Sequence, residues 1–150
     1  MTTSEDAVLI ETNVLVYAAD RNSPFHFASR SFRDRGRSGA YTPCVTPQIL
    51  FEFYAVVTDP RRAGRPLSRE DATAELAQYF SDPRIRKVHA GDEIGEVVVR
   101  LLRKYDIARQ DVFDAAIAAA MIANGIRRIC TYDTAHFSRF SEIEVPRPTT

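Results

Sequence analysis

Two acidic residues follow apolar segments that have the pattern of buried strands. Glu11 closes the uninterrupted apolar run at residues 7–10, and Asp133 comes shortly after a second apolar segment at residues 128–131. Ligands of open parallel sheets bind beyond the carboxyl ends of the strands. We therefore expect both carboxylates at the edge of the sheet where a ligand would bind.

Three further acids belong to predicted helices. Asp111 and Asp114 lie three positions apart at the start of a helical pattern, which puts them on one face of the helix. Glu52 lies in the middle of another helical pattern between Phe51 and Phe53, where a charge without a partner is unfavourable. Each acid also has an ordinary structural explanation, such as a helix cap, a turn or a solvated position.

Converging carboxylates would restrict the chemistry of such a site. Repulsion between two close carboxylates costs about 4 kcal/mol in an intermediate dielectric, so a cluster is tolerable only with a bound cation or shared protons. Oxygen ligands select hard cations such as Mg²⁺ or Mn²⁺. A carboxylate-bound divalent cation in turn suits the hydrolysis of phosphate esters.

The elements that must position these acids alternate between strands and helices. Apolar runs predict strands at residues 7–11, 41–45, 85–89 and 128–131, with an edge strand at 143–145. Helical spacing predicts helices at residues 14–19, 24–35, 48–58, 69–80, 92–104 and 111–124, and loops at 59–67 and 133–140. This alternation predicts one α/β domain over residues 1–150 with a parallel sheet.

Capping residues mark where several of these helices begin and end. Thr12 or Asn13 is expected to cap the first helix, and a cap followed by proline opens two others, at residues 23–24 and 46–47. Ser68, followed by two acids in the first turn, is expected to begin the helix at residues 69–80. Gly36 is expected to end the second helix.

Composition excludes several classes of protein. The 150 residues are 45% hydrophobic and 27% charged with a net charge of zero, and no apolar run approaches the roughly 20 residues that span a bilayer. We therefore expect a cytoplasmic protein without a membrane segment. Cys44 and Cys130 lack metal-ligand spacing, which argues against structural zinc and favours buried free thiols. Neither a phosphate-binding G-x-x-x-x-G-K-[ST] motif nor a G-x-S-x-G nucleophile motif occurs.

Four segments together resemble the PIN-domain family, in particular the VapC-type toxins of bacterial toxin–antitoxin pairs. The matching segments are residues 8–18 (VLIETNVLVYA), residues 46–53 (TPQILFEF), residues 114–120 (DAAIAAA) and residues 131–137 (TYDTAHF). Each segment is a weak signal alone, but their order and spacing extend the resemblance over nearly the whole chain.

The resemblance implies a fold, an activity and partners. The fold would be a PIN-like α/β/α sandwich around a mostly parallel sheet of four to five strands. The activity would be metal-dependent cleavage of RNA phosphodiesters, with a cognate antitoxin protein covering the site and a homodimer as the usual assembly. The catalytic acids carried over are Glu52, Asp114 and Asp133, with Asn13 and Thr131 as supporting polar residues.

Two positions depart from the family pattern. Glu11 stands where the family has aspartate, and its carboxylate reaches roughly 1.5 Å further, one carbon–carbon bond. We predict that Glu11, Asp114 and Asp133 bind Mg²⁺ or Mn²⁺ and that Asp111 supports them. A fully active, a weakened and an inactivated enzyme are all compatible with Glu11. His136 stands where the family often has an acid, and it is expected on an exposed loop.

Arginine accounts for 18 of the 20 basic residues, which leaves an RNA partner open despite the neutral total. Arg61, Arg62 and Arg65 on a predicted loop are the better RNA-binding candidates, because phosphate contacts need accessible guanidinium groups. The arginines at positions 30–37 form a second cluster. Phe51, with Phe53 and Tyr54, is expected to belong to the core.

The function predicted from these features is a Mg²⁺- or Mn²⁺-dependent endoribonuclease, the toxin of a type II toxin–antitoxin module. A catalytically impaired PIN-like module that mainly binds a protein or RNA partner is the first alternative, and Glu11 motivates it. A different Mg²⁺-dependent phosphoester enzyme, such as a DNA nuclease or a phosphatase, is the second.

Overall fold

A parallel sheet built on a fully buried strand organises the chain. The computed structural model describes residues 4–148. The strands are β1 (Ala7–Ile10), β2 (Thr42–Val45), β3 (Arg86–Lys87) and β4 (Arg128–Cys130). The helices are α1 (Thr12–Ala19), α2 (His26–Arg37), α3 (Pro47–Val57), α4 (Arg69–Ser81), α5 (Ile94–Lys104), α6 (Val112–Ala123) and α7 (Thr134–Ser138).

The four strands lie in the order β3-β2-β1-β4, and every pairing is parallel. In the register, Leu9 of β1 lies opposite Cys44 of β2, and Ile10 lies opposite Cys130 of β4. Because β1 and β4 are neighbours and run parallel, their carboxyl ends meet at the same edge of the sheet. The predicted α/β fold with a central parallel sheet is confirmed. Only a single bridge, from Arg128 to Glu144, occurs where a fifth strand was predicted.

The core is one cluster of buried side chains that joins the strands to helices including α1, α3 and α6. All four residues of β1 are at most 3% exposed, as expected for a strand with helices on both sides. In α6, Ala115, Ala118 and Ala119 are fully buried, and such small side chains let a helix pack close to its neighbours. Cys44 and Cys130 are buried free thiols, as predicted.

Local capping signals predicted the starts of α3 and α4 correctly. Thr46 accepts a hydrogen bond from the backbone N–H of Ile49 at 3.1 Å and opens α3, and Ser68 accepts one from Asp71 at 3.0 Å and opens α4. The cap of α1 was predicted wrongly. Glu11 itself is the N-cap, and its carboxylate accepts from the N–H of Asn13 at 3.3 Å.

Three other boundaries differ from the prediction. The Ser23 hydroxyl accepts from the N–H of Phe25 at 3.1 Å, so this segment forms a turn and α2 begins only at His26. Gly36 lies inside α2 rather than after it, and the Tyr41 ring packs against it, 2.7 Å from where a Cβ would stand. The predicted loop at residues 133–140 contains the short helix α7.

Over residues 4–148, no helix combines the length and the apolar character needed to cross a membrane.

Candidate active site

An open cleft of about 730 Å³ lies beside the carboxyl ends of β1 and β4. Five carboxylates line it, namely those of Glu11, Glu52, Asp111, Asp114 and Asp133. Cleft-lining polar or aromatic residues also include Thr12, Asn13, Tyr17, Arg62, Gln110, Phe113 and His136. The topology of the sheet and its helices therefore brings acids from four separate parts of the chain to one place.

The surroundings of Glu11 shift the pKa of its carboxyl upward. Burial, together with the negative charges of Asp133 and Glu52, raises the pKa of its carboxyl to about 7. The N–H of Asn13 opposes this rise by donating a hydrogen bond to the carboxylate. A carboxylate disfavoured by burial and by two like charges is one that a cation would stabilise.

A polar network joins the end of β1 to the end of β4. The side-chain amide of Asn13 donates to the Thr131 hydroxyl at 3.1 Å and to the Asp133 carboxylate at 3.2 Å. The side-chain oxygen Oδ1 of Asn13 accepts a hydrogen bond from the backbone N–H of Tyr132 at 3.2 Å. Thr131, which is fully buried, donates to Glu11 at 3.4 Å and accepts from the N–H of Asp133 at 3.0 Å. Asn13 and Thr131 thereby orient the two acids.

Glu52 is held by two neighbouring side chains. The Thr12 hydroxyl, buried against α3, donates to one carboxylate oxygen of Glu52 at 3.3 Å, and the Gln48 amide donates to the other at 3.0 Å. Both oxygens of Glu52 are therefore hydrogen-bonded, and these bonds stabilise its negative charge in the middle of α3.

The opposite wall is formed by the start of α6 and by α7. The His136 ring nitrogen Nδ1 lies 3.0 Å from the Asp114 carboxylate, and this contact raises the pKa of the imidazole. Arg139 lies 3.3 Å from Asp111 and 3.7 Å from Asp114. Ligand atoms of Asp111, Asp114 and His136 lie within 4.8 Å of one another and form a candidate metal-binding cluster.

Comparison with known proteins identifies the family. The PIN domain matches residues 8–143 of this chain. The chain belongs to the PIN domain family. Ribonuclease VapC24 of Mycobacterium tuberculosis is 30% identical over 141 residues, which cover 94% of this chain and 96% of that protein. Ribonuclease VapC48 of the same organism is 29% identical over 138 residues, which cover 92% and 94%.

Solved structures share the fold of this PIN domain at low sequence identity. Mycobacterium tuberculosis VapC20, a Sarcin-Ricin loop cleaving toxin, superposes with a TM-score of 0.67 at 17% identity, over 91% of this chain and 98% of that one. DNA-bound VapBC from Salmonella typhimurium superposes with a TM-score of 0.66 at 16% identity, over 95% and 98%.

The cleft collects all the acids predicted from the sequence of this PIN domain. The predicted metal ligands Glu11, Asp114 and Asp133 line it together, while the tight candidate cluster shares only Asp114 with them. Asp111, predicted as a supporting residue, belongs to that cluster. His136 is exposed, as expected, but it lies on α7 rather than on a loop and contacts Asp114.

The predicted RNA-binding loop reaches the cleft through one arginine. Arg62 lines the cleft, whereas Arg61 and Arg65 do not contribute to its lining. Arg61 is ion-paired with Asp59 at 3.2 Å. In the other arginine cluster, Arg30, Arg33 and Arg37 all form ion pairs with Asp34, outside the cleft. Phe51 is 59% exposed, so its assignment to the core was wrong.

Four contributors to the site were not predicted from the sequence. Thr12 was considered only as a cap, and neither Gln48 nor Arg139 was singled out. Gln48 precedes Glu52 by four positions, a spacing that pairs side chains on a helix and was a usable signal. Arg139 has no such signal, because its contact with Asp111 spans 28 residues. The exposed ring of Phe113 in the cleft was also missed.

Proposed function

We propose that this PIN domain is an endoribonuclease that hydrolyses RNA phosphodiesters with Mg²⁺ or Mn²⁺. The observation that carries the proposal is the convergence of five carboxylates and one accessible arginine, Arg62, on a single open cleft. The curated relatives are named ribonucleases, which supports the same activity for a chain that matches nearly their whole length.

The donor set of the cleft suits a hard divalent cation. Glu11, Asp114 and Asp133 would hold it, with Asp111 and His136 beside Asp114. Carboxylate oxygens predominate, and the pKa of Glu11 is raised first by burial and then by the negative charges of Asp133 and Glu52. When bound, such a cation supplies Lewis acidity, which lowers the pKa of a water and neutralises charge that develops on the phosphate.

The protein residues supply orientation and proton handling. Asn13 and Thr131 keep two carboxylates in place, since the Asn13 amide donates to Asp133 and the Thr131 hydroxyl donates to Glu11. Glu52, fixed through both of its oxygens, orients the attacking water and accepts its proton.

Arg62 binds a phosphate of the RNA strand. It is exposed, lines the cleft and makes no ion pair within residues 4–148, so its guanidinium is available for a phosphate oxygen. Arg61 and Arg65 extend the basic loop beyond the cleft and contact the strand further along.

The biological setting that we propose is that of a type II toxin. A cognate antitoxin protein would cover the acidic cleft, and the toxin would act in the cytoplasm as a homodimer. Support comes from the VapC names of the relatives and from the VapBC complexes among the structures that share the fold.

Cleavage of a labelled mixed RNA pool tests the proposed activity. Purified protein free of antitoxin is incubated with Mn²⁺ or with EDTA, beside an Asp114→Asn variant. We expect cleavage with Mn²⁺, none with EDTA, and at least a hundredfold slower cleavage by the variant, because a central carboxylate is lost. Parallel reactions with single-stranded DNA and with a small phosphate monoester separate a ribonuclease from a DNA nuclease or a phosphatase.

A catalytically impaired binding module is the alternative that one observation favours. The Glu11 carboxylate is longer than that of aspartate and is engaged in capping α1, so its oxygens are partly committed to the backbone. If folded wild-type protein does not cleave RNA while Glu11→Asp does, the impaired module is the better description. Cleavage by the wild type excludes it.

A further inference from the structure

Phe113 is an exposed aromatic ring inside an acidic cleft. It lies in the first turn of α6 between Asp111 and Asp114, is 56% exposed and lines the cleft with both acids. No other aromatic ring contacts it within residues 4–148. More than half of this apolar ring is therefore in contact with water beside two carboxylates.

Its location separates Phe113 from the other exposed apolar side chains. The large exposed hydrophobic residues of the described chain are Phe25, Phe27, Phe51, Phe80, Val99, Leu102 and Phe113. Only Phe113 among them lines the cleft. Tyr17 also lines the cleft, but its ring packs against Phe25 and Tyr132 at centroid distances of 5.1 and 5.3 Å. Phe113 is therefore the ring that can accept a planar group from solution.

The surroundings of Phe113 indicate what that group is. The proposed reaction puts a phosphodiester between the carboxylates and Arg62, and in RNA each phosphate is flanked by nucleosides whose bases, when unpaired, expose flat faces. Stacking of a base on an aromatic side chain is a common mode of single-strand binding and tolerates any base. A base paired in a duplex is stacked within its own helix and has no free face to offer.

We propose that Phe113 stacks on an unpaired base next to the scissile phosphate and so restricts the substrate to single-stranded or looped RNA. This inference rests on the proposed ribonuclease function and adds to it a residue that selects the substrate. A protein segment seated on the same ring is the competing occupant, and the experiment distinguishes the two.

RNA binding by cleavage-deficient protein tests the stacking contact. Three cleavage-deficient proteins are compared with Mg²⁺ present: the Asp114→Asn variant, and the same variant that also has Phe113→Ala or Phe113→Tyr. The affinity of each for a fluorescent single-stranded RNA is measured. We expect about a tenfold loss for alanine, since stacking contributes roughly 1–3 kcal/mol per base, and near-full retention for tyrosine. Phe51→Ala is the matched control, because Phe51 is equally exposed but lies outside the cleft, and it should leave the affinity unchanged.

Two altered RNAs show whether the lost contact is made to a base. A set of RNAs is made in which each member has one abasic nucleotide at a different position. At one of these positions, the abasic RNA should bind the protein with Phe113 as weakly as intact RNA binds the alanine variant. The same abasic RNA should bind the alanine variant no more weakly than intact RNA does. A duplex of the same sequence should bind both proteins equally. In addition, the fluorescence of 2-aminopurine at that position should fall on binding to Phe113 protein and not on binding to the alanine variant.

Three outcomes would overturn the proposal. Unchanged affinity of Phe113→Ala for single-stranded RNA excludes stacking and leaves the ring to a protein partner. An equal loss for single strand and duplex shows that the ring has a structural role. If wild-type protein cleaves RNA and only the Phe113 comparison fails, the proposed function stands without stacking. If the wild type neither binds nor cleaves RNA, both fall together.

Discussion

Glu11 combines structural and chemical demands on one carboxylate. It caps α1, receives a hydrogen bond from Thr131, and carries a pKa raised to about 7 by burial and by nearby Asp133 and Glu52. Folding favours the protonated carboxyl of Glu11, whereas the proposed cation would bind the charged carboxylate. Stability and the proposed function therefore oppose each other at this residue.

Neutralising Glu11 should stabilise the metal-free protein in a pH-dependent manner. Its folded-state pKa lies above the ordinary value of 4.5, so folding favours the protonated form. The stability that protonated Glu11 contributes to the wild type is complete below about pH 4.5 and is lost as the pH rises through about 7. Above that pH the charged carboxylate destabilises the metal-free protein, and glutamine removes the charge. In EDTA, Glu11→Gln should raise the melting temperature by about 5 °C at pH 8 and leave it nearly unchanged at pH 5.

Adding Mn²⁺ at pH 8 provides the control for that measurement. The cation should raise the melting temperature of the wild type more than that of Glu11→Gln, because it binds the folded state through the charged carboxylate. Equal stabilisation by Mn²⁺ in both proteins would contradict the prediction that Glu11 is a metal ligand.

At the scale of single elements, α3 positions Glu52 and is defined at its start by a local signal. Thr46 accepts from the N–H of Ile49, and Pro47 occupies the first helical position. The cap sets where the helix begins and so which face carries Glu52 toward Thr12. Ser68 caps α4 in the same way, but α4 contributes no residue to the cleft lining.

The two caps allow a matched pair of variants. Thr46→Ala and Ser68→Ala should each lower the free energy of unfolding by about 1 kcal/mol, because an N–H at the helix start loses its acceptor. Urea titration measures that loss. Cleavage of RNA below the unfolding transition should slow several-fold for Thr46→Ala only, since Glu52 lies on α3. Equal slowing by both variants would indicate a general stability effect.

At the scale of the whole molecule, the distance between α6 and its neighbours decides where Asp114 stands. Ala119 of α6 is fully buried, whereas Ala123 near the end of the same helix is exposed. Sheet strands bring Glu11 and Asp133 to one edge, and α6 approaches closely enough to bring Asp114 into the same cleft. The geometry of the site is thus a consequence of core packing.

Enlarging a buried alanine of α6 should therefore impair both folding and catalysis. Ala119→Leu adds volume to a closely packed interior and should cost about 1–3 kcal/mol of stability. It should also reduce cleavage at temperatures where the variant is folded, because α6 must move away and carries Asp114 with it. Ala123→Leu is the control and should have little effect on either quantity. A folded Ala119→Leu protein with wild-type cleavage would contradict the idea.

Features that depend on neighbours in sequence were predicted well. The buried strand at residues 7–10, the caps at Thr46 and Ser68 and the alternation of strands with helices all follow from hydrophobic spacing and short-range hydrogen bonding. The wrong starts of α1 and α2 arose from competing local contacts, since Glu11 accepts from Asn13 and Ser23 accepts from Phe25, each two residues along the chain. At the end of α2, by contrast, a tertiary neighbour is involved, because the Tyr41 ring packs against Gly36 inside the helix.

By itself, the sequence determined the fold class, the identity of the acids and the edge of the sheet where Glu11 and Asp133 lie. Only the tertiary structure decided which groups touch. Contacts such as Asn13 with Thr131, 118 residues apart, or His136 with Asp114, 22 residues apart, have no local signature. The exposure of Phe113 was equally undecided, since side-chain burial depends on how α6 is rotated against the rest of the core. Local patterns specify elements, whereas long-range packing specifies the distances on which the chemistry depends.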